Sequence, residues 1–157
     1  NRRWLMESLK PDFNDMQRAA LASMIFIDVD HFKDFNDNHG HLAGDNALRI
    51  VAEPINKCVP ADAIVARYGG EEFACLLFNL DLPEAHAVAE KIRAEVARRV
   101  VQTAGKAPRH ITISAGVACR LLDSDDAAEA LLRDADEAQY EAKRAGRNCV
   151  RDAVRKT

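Results

Sequence analysis

Arg67-Tyr68-Gly69-Gly70-Glu71-Glu72-Phe73 separates two strand-like runs, Ala63–Tyr68 before it and Glu72–Phe78 after it. Two such runs joined by a Gly-Gly pair predict a β-hairpin, because both glycines can take φ > 0. Upstream, the short apolar run Ala22–Ile27 ends in Asp28 and reads as a buried strand. His31 to Asn38 reads as a short helix closed by Gly40, and Ala43 to Cys58 as a second, with Leu48, Ile50, Val51 and Ile55 as its apolar set. Downstream, Pro83 opens a helix to about Val101, packed through Ala87, Ala89, Ile92 and Val96. Ile111–Cys119 is the next strand. A helix capped by Asp125 or Asp126 then runs to Ala145 and stops at Gly146, before a last strand near Cys149–Arg151. With a leading helix over Arg2–Leu9, the order βααββαβ predicts a single α/β sandwich, an α+β layering of helices on one sheet.

The bulk numbers agree with one domain. At 157 residues, 48% hydrophobic and 30% charged, the chain is long enough to bury a continuous core. A net charge of -3 argues against a general nucleic-acid binder and leaves room for a local basic site. The longest apolar runs fall far short of the roughly 20 residues that span a bilayer, so no membrane contact is expected of this domain. Cys58, Cys75, Cys119 and Cys149 lack any CxxC spacing, and reduced thiols in a cytoplasmic setting are the expectation. The chain opens at Asn1 without a methionine, and we expect residues 1–157 to be a truncated piece of a longer protein.

Chemistry gathers around the acids. Asp28 and Asp30 stand at the end of the first strand, and Glu71 and Glu72 follow the glycine turn. If the hairpin lies beside that strand, the two regions meet at one sheet edge and offer hard oxygen ligands to Mg²⁺ or Mn²⁺. Two such ions suit an in-line displacement at phosphorus. Glycines without side chains let a nucleotide approach the backbone. His31-Phe32-Lys33 opens a helix, whose free amides and Lys33 suit phosphate oxygens. Asp30 fits a helix cap at least as well as a ligand. His39 and His41 are not expected to bind metal.

Five ordered blocks make the resemblance specific. Arg67 to Phe73 resembles the GGDEF-family signature in its GGEEF form, and Asp28-Val29-Asp30-His31-Phe32-Lys33-Asp34-Phe35-Asn36-Asp37 resembles the family's DxDxFKxxND segment. Gly40-His41-Leu42-Ala43-Gly44-Asp45 matches GHxxGD. Ile111 to Val117, and Ala135-Asp136 through Gly146-Arg147-Asn148, follow in the expected order. Asn1-Arg2-Arg3 resembles the end of the family's entry segment.

The resemblance implies a diguanylate cyclase domain that condenses two GTP into cyclic di-GMP and two pyrophosphates. It implies the fold of class III nucleotide cyclase cores, with a mainly antiparallel five-stranded sheet flanked by helices. Asp28 and Glu71, with the Val29 carbonyl, would hold metal, two ions per site, and Glu72 would bind metal or activate the 3′-hydroxyl. Asn36 and Asp45 would read guanine, since a carboxylate accepts from the N1–H and N2 amine that adenine lacks. Gly69 and Gly70 would admit the nucleotide, and Lys33, Lys143 and Arg147 would contact phosphate. Arg67 is expected to orient the hairpin. The implied partners are GTP, a second copy of the domain in a two-fold dimer needed for catalysis, and an upstream sensory domain outside this chain.

One family feature is missing. An RxxD product-inhibition site would place Arg and Asp where Pro60 and Ala63 stand, with Asp62 out of register. Arg93, which resembles a secondary contact of that site, is expected to be a surface residue, and Gln139 a small packing departure. The competing reading is a catalytically silent GTP-binding module that regulates an attached domain.

Overall fold

The structure, a computed structural model, describes residues 20–154 and residue 3. The expected leading helix therefore lies, but for that one residue, outside the described residues. β1 (Ala20–Val29) is buried from Ala22 onward because it is the central strand, covered on both faces. Its residues alternate between two cores: Ile25, Ile27 and Val29 enter one, and Ala22, Met24 and Phe26 the other. Burying each large side chain there contributes about 1.5–3 kcal/mol.

A helix, α1 (Phe32–Cys58), follows, with its ladder broken at Gly40 (φ 84°, ψ 169°). The two helices expected from the sequence are thus present, hinged at the predicted glycine. β2 (Ile64–Arg67) and β3 (Glu72–Phe78) form the expected hairpin, but the stated reason for the glycines is wrong. Neither Gly69 nor Gly70 has a positive φ. The turn is closed instead by Tyr68 N–H donating to the Glu72 carbonyl at 2.8 Å.

α2 (Leu82–Arg98) starts at a capping box in which Asp81 accepts from Glu84 N–H and Glu84 accepts from Asp81 N–H. It ends before Val101, which pairs with Arg109 in an isolated bridge, and it turns Ala85 rather than Ala87 inward beside Ala89, Ile92 and Val96. The spacing of four, three and four from Ala85 makes one continuous stripe, whereas Ala87 falls off it. β4 (Ile113–Leu122) lies two to three residues later than expected. α3 (Asp125–Arg144) is capped by Ser124, whose Oγ accepts from Ala127 N–H, and not by either aspartate. β5 (Cys149–Asp152) completes the sheet.

The strand order is β2-β3-β1-β4-β5, antiparallel except for the parallel β4–β5 pair. α1 and α2 cover the core around Ile25 and Ile27, and α3 covers the core around Met24 and Phe26. α3 approaches β4 so closely that a Cβ at Gly116 would lie 2.1 Å from the Ala135 carbonyl oxygen and 2.2 Å from Gln139 N. Glycine is the residue that permits this contact. Gln139 itself is buried with its amide nitrogen unpartnered, a larger departure than a packing change. Among the described residues no helix is long and apolar enough to cross a membrane. The four cysteines are free, and burial pushes the Cys75 thiol up to about 12.

Candidate active site

Antiparallel pairing brings the acids together. Asp28 sits directly across from Glu72 on β3 and from Ser114 on β4, and Val29 N–H donates to the Glu71 carbonyl at 3.2 Å. The end of β1 and the hairpin therefore share one sheet edge, as the sequence led us to expect. Asp28 is 5% exposed, and its Oδ2 accepts from Lys143 Nζ at 2.7 Å. Its Oδ1 is buried and has no donor when the neighbouring carboxyls are ionised.

The acids press on one another. Burial first, then the charge of Asp28 and the hydrogen bond a protonated Glu71 gives to Asp28, push Glu71 up to about 7, while Lys143 opposes the shift. Glu72 is raised by burial, then by Asp28 and Asp136, again against Lys143. Such crowding favours a proton or a cation at this spot. Among the described residues no three His, Cys, Asp or Glu side chains are arranged to enclose a metal ion. The protein share available is smaller: Asp28 with its orphan oxygen, and Glu71 beside it. That suits an ion whose shell is completed by phosphate and water, as Mg²⁺ prefers.

The glycines act by what they lack. A Cβ on Gly69 would lie 2.6 Å from Glu72 Oε1, so only glycine leaves that carboxylate in place, and the space at Gly70 is open to 4 Å. Arg67 holds the turn, donating from Nη2 to the Gly70 carbonyl at 2.6 Å and from Nε to that of Gly69 at 3.3 Å.

A second locus lies along α1. In an unbroken helix residues 36 and 44 would be about 12 Å apart along the axis. The break at Gly40 instead lays Asn36 against Gly44, where a Cβ would fall 1.7 Å from Asn36 Oδ1. That oxygen is buried and unpartnered, and the exposed carboxylate of Asp45 is next in the chain. Asn36, one of the two residues expected to read a base, is thus set against the residue that precedes the other. His39 tilts onto Phe35 with ring centroids 4.8 Å apart.

The basic residues divide. Lys143 is committed to Asp28, whereas the side chains of Lys33 and Arg147 are exposed and make no hydrogen bond or ion pair among the described residues. Phe32 turns its ring into the core, leaving only its backbone for a ligand; no side chain caps the amides of this helix start. Asp30 is a correction: it caps nothing. His31 occupies the cap position, and the Asp30 carboxylate accepts from Thr112 Oγ1 at 2.6 Å, Ser114 Oγ at 2.5 Å and Asn148 N–H at 3.0 Å. Arg93 is not simply a surface residue, since it donates to Glu90 and, from Nη1, to Asn148 Oδ1 at 3.0 Å. Sequence reasoning gave no role to Thr112, Ser114 or Asn148. The available signal was a pair of hydroxyls at strand spacing within an otherwise apolar segment.

A carboxylate edge crossed by a basic helix end, on this sheet order, defines an α/β domain with an acidic sheet edge. The profile described as "Diguanylate cyclase, GGDEF domain" matches residues 1–149, and the chain belongs to that family. Diguanylate cyclase A of Treponema denticola is 40% identical over 146 residues, covering 93% of this chain and 39% of that protein. The response regulator PleD of Caulobacter vibrioides is 39% identical over 155 residues, covering 96% of this chain and 33% of that protein. The chain thus spans about two-fifths or less of these relatives. The structure of the active GGEEF domain of a diguanylate cyclase from Vibrio cholerae is similar at TM-score 0.85 and 34% identity, covering 99% of this chain and 98% of that one. The GGDEF domain of DgcB from Caulobacter crescentus, solved in complex with c-di-GMP, reaches 0.82 at 34% identity, covering 89% and 82%.

Proposed function

We propose that this chain is a diguanylate cyclase domain that joins two GTP molecules into cyclic di-GMP. The observation that carries this reading is the meeting of Asp28, Glu71 and Glu72 at one sheet edge, under Lys143 and beside a side-chain-free turn. The similarity to a GGEEF domain described as active supports it.

Asp28 and Glu71, with the Val29 carbonyl, would hold Mg²⁺ or Mn²⁺, two ions per site. Bound there, the ions would supply charge stabilisation to the phosphates and make the attacking hydroxyl easier to deprotonate. The protein's own residues do the rest. Asn36 and Asp45 hold the guanine edge through the pairing of a carboxylate with N1–H and N2. Lys33 and Arg147 take phosphate oxygens. Lys143, released from sole attachment to Asp28, balances charge on the α-phosphate. Glu72 receives the proton of the 3′-hydroxyl. That oxygen forms a bond to the α-phosphorus of the other GTP, the bond to the β-phosphate oxygen breaks, and pyrophosphate departs. The same exchange in the opposite direction closes the ring. A single domain holds one substrate, so two copies must face each other, and orientation supplies much of the rate. A sensory domain outside this chain would govern that encounter.

The test is mass spectrometry of the product after concentrated domain is incubated with GTP and Mg²⁺ or Mn²⁺. Cyclic di-GMP that vanishes on Glu71→Ala or Glu72→Ala is the expected result. GTP binding without product, persisting when a dimerising coiled coil is appended, would identify a silent GTP-binding module instead.

A further inference from the structure

Arg147 sits in an unusual loop. Gly146, Arg147 and Asn148 have φ values of 112°, 64° and 46°, three consecutive residues in the left-handed region, two of them not glycine. Such backbone persists only where its surroundings hold it. Part of the restraint is local: Arg147 N–H donates to the Ala142 carbonyl at 3.1 Å and Gly146 N–H to that of Lys143 at 3.3 Å, closing the end of α3. Beyond the helix, Asn148 is gripped twice, by Asp30 Oδ2 on its N–H and by Arg93 Nη1 on its Oδ1.

Asp30 is built for that grip. It is 6% exposed, and the hydroxyls of Thr112 and Ser114 also donate to its carboxylate, so that both oxygens are hydrogen-bonded. Its own N–H is fixed to the Thr112 carbonyl at 2.9 Å. A buried carboxylate that accepts three hydrogen bonds in fixed directions is a rigid anchor, and charge-assisted bonds of this kind are the strong ones. Two residues along the chain, Asp28 holds Lys143. The end of β1 thereby grips the end of α3 at two points, one on a basic side chain and one on the backbone beside another.

We infer that Asp30 is a positioning residue for nucleotide: through the Asn148 N–H it holds the left-handed 146–148 loop so that Arg147 faces the triphosphate. The inference rests on the GTP reading above and adds to it a residue that touches no substrate. Asp30 acts on GTP affinity through Arg147 alone. Asn148 Oδ1 and Arg93 brace the same loop from the α2 side.

The experiment is a double-mutant cycle on the purified domain, titrating GTP in Mg²⁺ by calorimetry for wild type, Asp30→Asn, Arg147→Ala and the pair. Each single variant should weaken GTP binding by about tenfold, and the pair should be no weaker than Arg147→Ala alone. Losses that multiply, or wild-type affinity in Asp30→Asn, would overturn the inference. Hydrogen exchange gives a reading independent of GTP. In Asp30→Asn the Asn148 amide should exchange at least about tenfold faster while β1 core amides keep their protection, and an unchanged Asn148 rate sinks the idea. Should Asp30→Asn fail to fold, Thr112→Val removes one of the anchoring donors and should raise the Asn148 exchange rate in the same direction; no rise overturns the inference. A wild-type domain that binds no GTP would refute the functional reading, while the exchange data would still decide whether Asp30 holds the loop.

Discussion

Asp28 and Asp30 stand two residues apart at the end of the same strand and are almost equally buried, yet their surroundings are opposite. Asp28 has one basic partner, an orphan oxygen and two glutamates pressing on it. Asp30 has both oxygens satisfied by neutral donors, three in all. A buried carboxylate surrounded by hydroxyls and amides is already solvated by the protein and gains little from a further ligand. One facing other carboxylates is held in a strained arrangement that a cation relieves. Residue type is the same and the positions differ by two residues across the strand's end; the neighbours decide between ligand and anchor.

The largest effect should come from removing the Asp28 charge. Asp28→Asn is expected to lower cyclic di-GMP formation by on the order of 10³-fold, while relief of its repulsion with Glu71 leaves the melting temperature near that of wild type. Product analysis beside a thermal melt checks both halves. A variant that retains turnover, with Asp30→Asn abolishing it, would reverse the comparison.

Next comes the scaffold that delivers Lys143 to Asp28. Gly116→Ala places a methyl against the α3 backbone, where no side chain can swing away, and should destabilise the fold by about 3 kcal/mol in urea titration. A neutral result would mean that α3 can shift without cost, and the Lys143–Asp28 contact would lose its structural footing.

A smaller change belongs to the base locus, remote from both aspartates in its construction. Gly44→Ala drives a Cβ into Asn36 Oδ1 and should raise the KM for GTP about tenfold, leaving the product unchanged. If kcat fell instead and KM held, the base and carboxylate loci would not be separable.

The smallest concerns pH. The folded-state value of Glu71 is raised from 4.5 to about 7, so folding favours its protonated form. The resulting stability is complete below pH 4.5 and is lost as pH rises to about 7. The melting temperature of the wild-type domain in chelator should therefore fall across that window relative to Glu71→Gln. Equal slopes for the two would show that neither burial nor Asp28 raises Glu71.

Much of this was legible locally. The strands, the hinge at Gly40 and the acidic turn follow from short-range pattern, and the boundaries moved by only two or three residues where an apolar run outlasted its strand. Errors arose where several residues of the right chemistry were adjacent. Asp125 and Asp126 looked like caps, but Ser124 holds the geometry; Ala87 looked like core, but the stripe passes through Ala85. The glycine turn was recognised for the wrong reason, since its need is for absent side chains and not for positive φ. Asp30 could not be read at all, because its donors lie 82, 84 and 118 positions away in sequence and meet it only in the folded sheet.

Among the described residues the two outer strands of the sheet, β2 and β5, are each four residues long. A lateral strand of that length offers little unpaired backbone for another chain to extend, which is how sheet proteins avoid edge-to-edge polymerisation. Copies of this domain can therefore crowd together at high concentration without fusing their sheets. Any pairing of copies would then rest on side-chain surfaces and not on the sheet edge.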